Sequence, residues 1–389
     1  MNDKTADIVI IGGAAVGSSI AYFLKRDGYK GRVTVVEMDP SYQWCATGRS
    51  VASVRQQFST PENVRLSQFG VGFFKTIKQE FGADADIAFR ERGYLVMATP
   101  EGRETLESNI KLQNSLGADT ELLLPADISA RFPWLSVDGL GAAGWGRTGE
   151  GWVDPSLLRA LFQKGARERG VEYIADEVDG ITSTGGRITG VTLKSGGRIS
   201  TGTVICAAGW HSAKVAAMAG LSLPVRPKKR LVFVVDCRDP LPGAGLMIDP
   251  SGLYFRPEGK FFLTGIQPPE AEDVDAEDFE IDHGFFDTEI WPRLAHRVPA
   301  MEALKVQSAW CCHYDLNMLD HNAILGCHPE LPSFVIACGF SGHGLQHSPG
   351  VGRAISELVI HGGFTSIDLK RFGYQRIADN VPIRELNVY

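Results

Sequence analysis

The chain has 389 residues, 44% hydrophobic and 22% charged, the balance of a soluble globular enzyme long enough to bury the cores of two domains. A net charge of −7 without any basic run excludes nucleic acid and anionic membrane surfaces as partners, and no uninterrupted apolar stretch reaches the ~18 residues of an integral membrane segment. The seven cysteines are odd in number and scattered, which gives neither a disulfide framework nor a metal spacing; with no secretory-signal pattern at the N-terminus, a cytoplasmic protein with buried thiols is expected.

The first element is the apolar run Ile8-Val9-Ile10-Ile11, which enters the turn Gly12-Gly13-Ala14-Ala15-Val16-Gly17. Glu37 follows Gly17 by 20 positions and closes a second apolar run, Val33-Thr34-Val35-Val36, just before Met38. Strand, glycine turn, helix and acid in this register describe a dinucleotide site. Gly12 permits the tight turn, Gly17 lets helix and strand approach, and the helix N-terminus faces a pyrophosphate. Ala14 departs from the pattern at the position where glycine normally lets the backbone reach the phosphates. Glu37 can accept hydrogen bonds from ribose hydroxyls, and its charge disfavours a 2′-phosphate.

From Trp44 to Phe58 the chain is rich in small residues punctuated by Arg49 and Arg55, a composition that allows backbone to lie against a flat ligand. An amphipathic helix is predicted from Pro61 to about Phe81, burying Val64, Leu66, Phe69, Phe73 and Phe74. Gly93 to Ala98 reads as a strand, and 101–135 as short helices and turns. Asp154 and Pro155 are an N-cap and a first helical residue for a helix to about Arg169. Strands follow near 171–174, 177–181, 188–193 and 204–207, and strands dominate again from Val232 to about Val306. Within that stretch Glu270 to Asp282 reads as a solvated acidic loop. The last block is the strand Phe334 to Cys338, the loop Gly339 to Gln346 and a helix from about Pro349 to His361. This second strand, glycine loop and helix implies a cofactor longer than NAD, clasped from both ends of the sequence.

Together the N-terminal turn with Glu37, the segment Val204-Ile205-Cys206-Ala207-Ala208-Gly209-Trp210 and the Gly339 to Gln346 loop resemble the FAD-dependent oxidoreductase family of D-amino acid oxidase, glycine oxidase and sarcosine oxidase, over nearly the whole chain. Within it, Gln56-Gln57-Phe58-Ser59, Pro61-Glu62-Asn63 and the Gly339 to Gly352 run resemble in particular the mitochondrial FAD-oxidoreductase-domain branch linked to complex I assembly. The resemblance implies an α/β fold: a Rossmann-like FAD-binding domain from 1–80, 150–215 and 320–375, an interleaved α+β substrate domain on a mostly antiparallel sheet from 81–149 and 216–319, and a tail at 376–389. It implies FAD bound by Gly12, Ala14, Ala15, Val16, Gly17, Glu37 and Met38, with adenine held near Val178. Thr47, Gly48, Arg49, Ser50 and Ser53 would flank the flavin with Gly342, His343, Gly344, Leu345 and Gln346, and Ala208, Gly209 and Trp210 would also contact the cofactor.

Substrates of the family carry an α-carboxylate beside an amine, so a fixed cation near the ring is required. By resemblance to sarcosine oxidase Arg55 takes that role, with Arg49 as the alternative or a plain ion pair as the structural reading; a guanidinium grips a carboxylate through two parallel hydrogen bonds. Gln346 stands where sarcosine oxidase has a lysine. The glycine-oxidase arginine has no counterpart in Trp310-Cys311-Cys312-His313-Tyr314-Asp315, which makes Arg256 a possible helper and Tyr254 a possible cover for the substrate. Cys312, or equally Cys311, falls near the residue that tethers flavin in sarcosine oxidase, while no histidine replaces Cys45; non-covalent FAD is the expectation. His343 is expected to be structural. Leu263 aligns with the lysine that assists oxygen, with Lys260 displaced upstream, so the electron acceptor is oxygen or a quinone or carrier. The resemblance thus implies oxidation of the C–N bond of a small, N-substituted, carboxylate-bearing amino acid by hydride transfer to FAD, the imine hydrolysing to amine and oxo acid. The alternatives are oxidation of a 2-hydroxy acid such as 2-hydroxyglutarate, and a non-enzymatic flavoprotein assembly factor.

Overall fold

The computed structural model describes residues 4–386. Its first large element is a six-stranded sheet in the order Glu172–Ala175, Val33–Glu37, Ile8–Ile11, Thr203–Cys206, Leu331–Cys338 and Ile324–His328; the first five are parallel and the last is antiparallel. Every residue of Ile8–Ile11 and Val33–Glu37 is buried, as expected of parallel strands covered on both faces. Alternation along the first strand serves two cores. Ile8 and Ile10 join Phe23, Phe73 and Phe162 under the helices, whereas Val9 and Ile11 join Val178, Val191 and Ile199 under a smaller four-stranded sheet.

The helices on the first face are Ala15–Arg26, Pro61–Lys75, Pro155–Glu168 and Gly344–His361. Asp154 caps the third, its carboxylate accepting from the Ser156 and Leu157 amides. Two boundaries differ from expectation. The helix opening at Pro61 breaks at Thr76, whose hydroxyl donates to the Gly72 and Phe73 carbonyls, and resumes as Ile77–Phe81. The helix expected from Pro349 begins at Gly344 instead. Proline is tolerated there because the Ser348 hydroxyl donates to the Leu345 carbonyl, the acceptor that Pro349 cannot serve.

The second large element is an eight-stranded sheet in the order Lys305–Asn317, Val225–Asp236, Phe261–Gly265, Tyr254–Glu258, Leu246–Ile248, Tyr94–Ala98, Ala142–Gly146 and Thr120–Leu123. All neighbours are antiparallel except Leu246–Ile248 with Tyr94–Ala98. Its own core includes Leu95, Phe233, Met247, Phe255 and Leu294. The stretch 101–135 is more regular than expected, with the 13-residue helix Arg103–Ser115, the strand Thr120–Leu123 and the helix Pro125–Arg131. Only Leu106, Ile110 and Gln113 of the longer helix are buried, so its apolar stripe is too thin to announce it.

The acidic segment is not simply solvated. Asp273 lies buried against Arg230, and Asp275, Glu277 and Asp278 pair with Lys228, Lys214 and Lys229. The three residues Lys228-Lys229-Arg230 on the neighbouring strand supply partners that charge counting along one loop does not reveal.

Candidate active site

A cavity of about 1240 Å³ lies between the two large sheets. Ile11 and Gly12, Val36 and Glu37, and Ala207 line it, which places it at the carboxyl ends of parallel strands, where α/β sheets bind ligands. At this end the wall is mostly backbone. Gly12 has φ +98°, and a Cβ there would sit 2.4 Å from the Ala207 carbonyl oxygen; a Cβ on Gly17 would sit 1.9 Å from the Gly12 oxygen. Ala14 precedes the helix with φ −69° and ψ −162°, an extended conformation open to any residue, so its methyl brings no backbone strain.

Glu37 ties the turn together. Its carboxylate accepts from the Gly13 amide at 2.7 Å and the Asp39 amide at 2.8 Å. Burial raises its pKa, and those two bonds pull the other way. Thr47 Oγ1 accepts from the Ala15 amide at 3.2 Å, which fixes the small-residue run over the helix N-terminus. Ala14, Val16, Met38, Thr47, Ser50, Ser53, Val178, Ala208, Gly209 and Trp210 all line the cavity. Ala15, Gly17, Gly48 and Arg49 do not; the first two shape the turn behind it. Arg49 donates to the Gln43 and Cys311 carbonyls, with its guanidinium 4.6 Å from the Trp44 ring centre and 4.7 Å from that of Phe279. This locks the run to the large sheet. Arg49 is therefore a brace, not an alternative to Arg55 on the wall.

At the other end side chains make the wall. Gly342, His343, Gly344, Leu345 and Gln346 line it, on a loop seated by Asp315, whose carboxylate accepts from the Gly339 and Phe340 amides at 2.7 and 3.1 Å. Burial pushes the Asp315 pKa up to about 6. A Cβ on Gly342 would lie 2.5 Å from the Tyr314 ring, so glycine lets the loop rest on that tyrosine. Arg55 is buried on the same wall. Its amide donates to Gln346 Oε1 at 2.8 Å, and its guanidinium donates to the Gln57 carbonyl at 3.3 Å and to His343 Nε2 at 2.9 Å. Burial and the Arg55 charge hold the His343 pKa well below its ordinary value, so the ring is neutral and accepts. Glu150 lies behind Arg55, accepting from Gln57 Nε2 at 2.8 Å, and burial pushes it up to about 7.

Tyr254 lines the cavity, but Arg256 does not. The Arg256 guanidinium is already used by the Val51 and Pro257 carbonyls and the Glu258 carboxylate, so the expected helper role finds no open fork. Cys312 lines the cavity; Cys311 is buried off it. Burial pushes the Cys312 thiol up to about 12. Leu263 is buried off the cavity, and Lys260 lies over the Phe261 ring. The lining residues not foreseen from sequence include Tyr94, Arg230 and Tyr314. Tyr314 could have been found, two positions beyond Cys312 on one strand. Arg230 gave no signal as the last of only three consecutive basic residues, 228–230.

A cavity with a glycine cradle, a helix N-terminus and a buried acid at one end, and a second glycine loop with an arginine at the other, fits FAD along its length. The profile of the family described as DAO, FAD dependent oxidoreductase, matches residues 7–358. The chain belongs to this FAD-dependent oxidoreductase family. It is similar to FAD-dependent oxidoreductase domain-containing protein 1 of Xenopus laevis, 40% identical over 99% of this chain and 85% of that protein. Among solved structures, L-proline dehydrogenase from P. horikoshii superposes with a TM-score of 0.86 at 28% identity, covering 97% of this chain and 99% of the other. Glycine oxidase from Geobacillus kaustophilus shares the fold, with a TM-score of 0.80 at 23% identity over 95% and 98%. Among the described residues no helix is long and apolar enough to cross a membrane, and no cluster of side chains could hold a metal ion.

Proposed function

We propose that this oxidoreductase oxidises the C–N bond of a small secondary α-amino acid. The observation that carries the reading is the buried Arg55 on the cavity wall, its backbone amide held by Gln346 and its guanidinium by Gln57 and His343, at the loop opposite the dinucleotide cradle. The similarity to a dehydrogenase of proline, itself a secondary amine, supports the same substrate class. Bound FAD supplies the two-electron acceptor for the hydride that leaves the carbon beside nitrogen. Arg55 grips the carboxylate and so aims that carbon, and neutral His343 keeps the guanidinium in place without adding charge. Tyr254 closes the substrate side. The substrate ammonium first loses its proton to solvent water; the freed lone pair then forms the C=N bond as the hydride leaves, and water adds to the iminium to release an amine and an oxo acid.

FAD is held non-covalently in this reading, because a Cys312 thiol with its pKa near 12 stays protonated and a thiol is a poor nucleophile. Acid precipitation is expected to release all the yellow colour, leaving a colourless pellet. A carrier or quinone is the favoured electron acceptor, since neither Leu263 nor Lys260 brings an ammonium group to the cavity. Single-turnover flavin reduction tests the role of Arg55. Arg55→Ala is expected to keep FAD and lose about 10–100-fold in rate, the equivalent of one charge-assisted hydrogen bond. Arg55→Lys should fall between, keeping charge without the fork. Wild-type rates in both variants would remove Arg55 from the site.

A further inference from the structure

The tail expected at 376–389 is built into the cavity. Ile383 is buried; its amide donates to Asp320 Oδ2 at 3.0 Å and its carbonyl accepts from Asn322 Nδ2 at 2.6 Å, both in the loop that leads into the six-stranded sheet. The Glu385 carboxylate accepts from the Ser59 amide at 2.7 Å, the Ser59 hydroxyl at 2.8 Å and Asn63 Nδ2 at 2.6 Å. The Leu386 carbonyl accepts from Asn109 Nδ2 at 2.7 Å, on the helix Arg103–Ser115 that packs on the eight-stranded sheet. Residues 383–386 therefore form a strap that joins the two sides of the cavity. Ser59 and Asn63, from the stretches 56–59 and 61–63 that stand out in the sequence, are its anchors.

Arg384 sits between these anchors. It lines the cavity and is exposed, which puts it on the rim, and it makes no hydrogen bond or ion pair with any described residue. Its backbone is fixed from both sides while its guanidinium is free to meet a ligand. The rim is that of the Arg55 end. Ser59, which holds Glu385, follows Phe58, whose ring centre lies 4.5 Å from the Arg55 guanidinium and 5.1 Å from the His343 ring centre.

Charge gives this placement a use. The chain carries a net charge of −7, so an anion approaches against a repulsive field. Arg55 is buried and contacts only a ligand already inside the cavity. A rim cation without a protein partner acts earlier, over about 30 Å in dilute salt and about 8 Å at physiological ionic strength. We propose that Arg384 is the entry residue for the anionic substrate: it draws the carboxylate to the rim and hands it on to Arg55, while the strap 383–386 holds it there. The inference rests on the carboxylate-binding role of Arg55 in the reading above and adds the step that precedes it.

Stopped-flow mixing of the purified holoprotein with methylthioacetate, a carboxylate with no amine to oxidise, gives association and dissociation rate constants from the perturbation of the flavin band. In salt of about 10 mM, Arg384→Gln is expected to slow association about 3-fold and Arg384→Glu about 10-fold, with Arg384→Lys near the wild type, as one or two charges beside the path of a monoanion require. At about 0.5 M salt the four proteins should converge. Dissociation should change by less than about 2-fold, because steering acts before the complex forms. Arg187→Gln removes the same charge from an exposed hairpin tip off the cavity and should match the wild type. Association that is unchanged in Arg384→Glu, slowed equally at both salt concentrations, or slowed as much in Arg187→Gln overturns the proposal. So does faster dissociation with unchanged association, which makes Arg384 a plain binding contact. Methylthioacetate binding that depends on Arg55 but not on Arg384 leaves the amine-oxidising reading standing, whereas no binding by the wild type removes both.

Discussion

The two ends of the cavity solve the same problem with different materials. At the Glu37 end recognition rests on backbone: glycines that let chain segments touch, amides at a helix N-terminus, and one carboxylate whose bonds to the Gly13 and Asp39 amides fix its direction. At the Arg55 end it rests on side chains drawn from distant parts of the chain, with Arg55, Tyr94, Arg230, Tyr254, Tyr314 and Gln346 meeting on one wall. At Gly12 and Gly17 the first end has no room for a side chain, because an added Cβ strikes backbone. The second can be retuned one side chain at a time, which is how one fold serves many substrates.

Substitutions should divide accordingly. The largest effect is expected for Gly17→Ala, whose Cβ would lie 1.9 Å from the Gly12 oxygen with only backbone in the way. Strand and helix must separate, costing about 3 kcal/mol or more, with a lower Tm and little bound flavin. Ala14→Gly is the matching control and should keep full flavin content, since the alanine there is unstrained. If Gly17→Ala bound flavin normally, the claim that this end is set by backbone contact would fail.

A smaller effect is expected for Glu37→Gln. The new amide group has the same shape, but its nitrogen meets the Gly13 or the Asp39 amide donor to donor, and an acceptor for the ribose is lost. FAD affinity, measured by reconstituting the apoprotein, should fall about 10–100-fold, in line with one or two hydrogen bonds to a charged group, while the rate of flavin reduction at full occupancy stays within a factor of about two, by the uniform-binding argument. A fall in that rate comparable to the one expected for Arg55→Ala would blur the division between the two ends.

The same division explains what the sequence could tell. The Gly12 to Gly17 turn and Glu37 are legible because their spacing is local, one strand, one helix and the next strand, and the parallel sheet follows from their burial pattern. The Gly342 to Gln346 loop is legible for the same reason. Arg256 and Arg230 mark the limit. Both sit on strands of the large sheet, and nothing in their neighbourhoods says that the fork of Arg256 is consumed by Val51, Pro257 and Glu258 while Arg230 reaches the cavity. That outcome depends on which loop crosses which strand. The acidic segment was read as solvated on the same ground: its partners lie some 45 residues away, as Asp273 lies from Lys228.

Anaerobic mixing of the purified holoprotein with secondary amino acids, alongside 2-hydroxy acids, most directly tests whether this cavity oxidises a C–N bond. Secondary amino acids such as N-methylglycine, proline or iminodiacetate should bleach the flavin band, faster as pH rises because the reacting amine must be neutral, and the oxo acid should appear in step with the bleaching. Bleaching by 2-hydroxy acids alone, or by none of the panel, would contradict the reading.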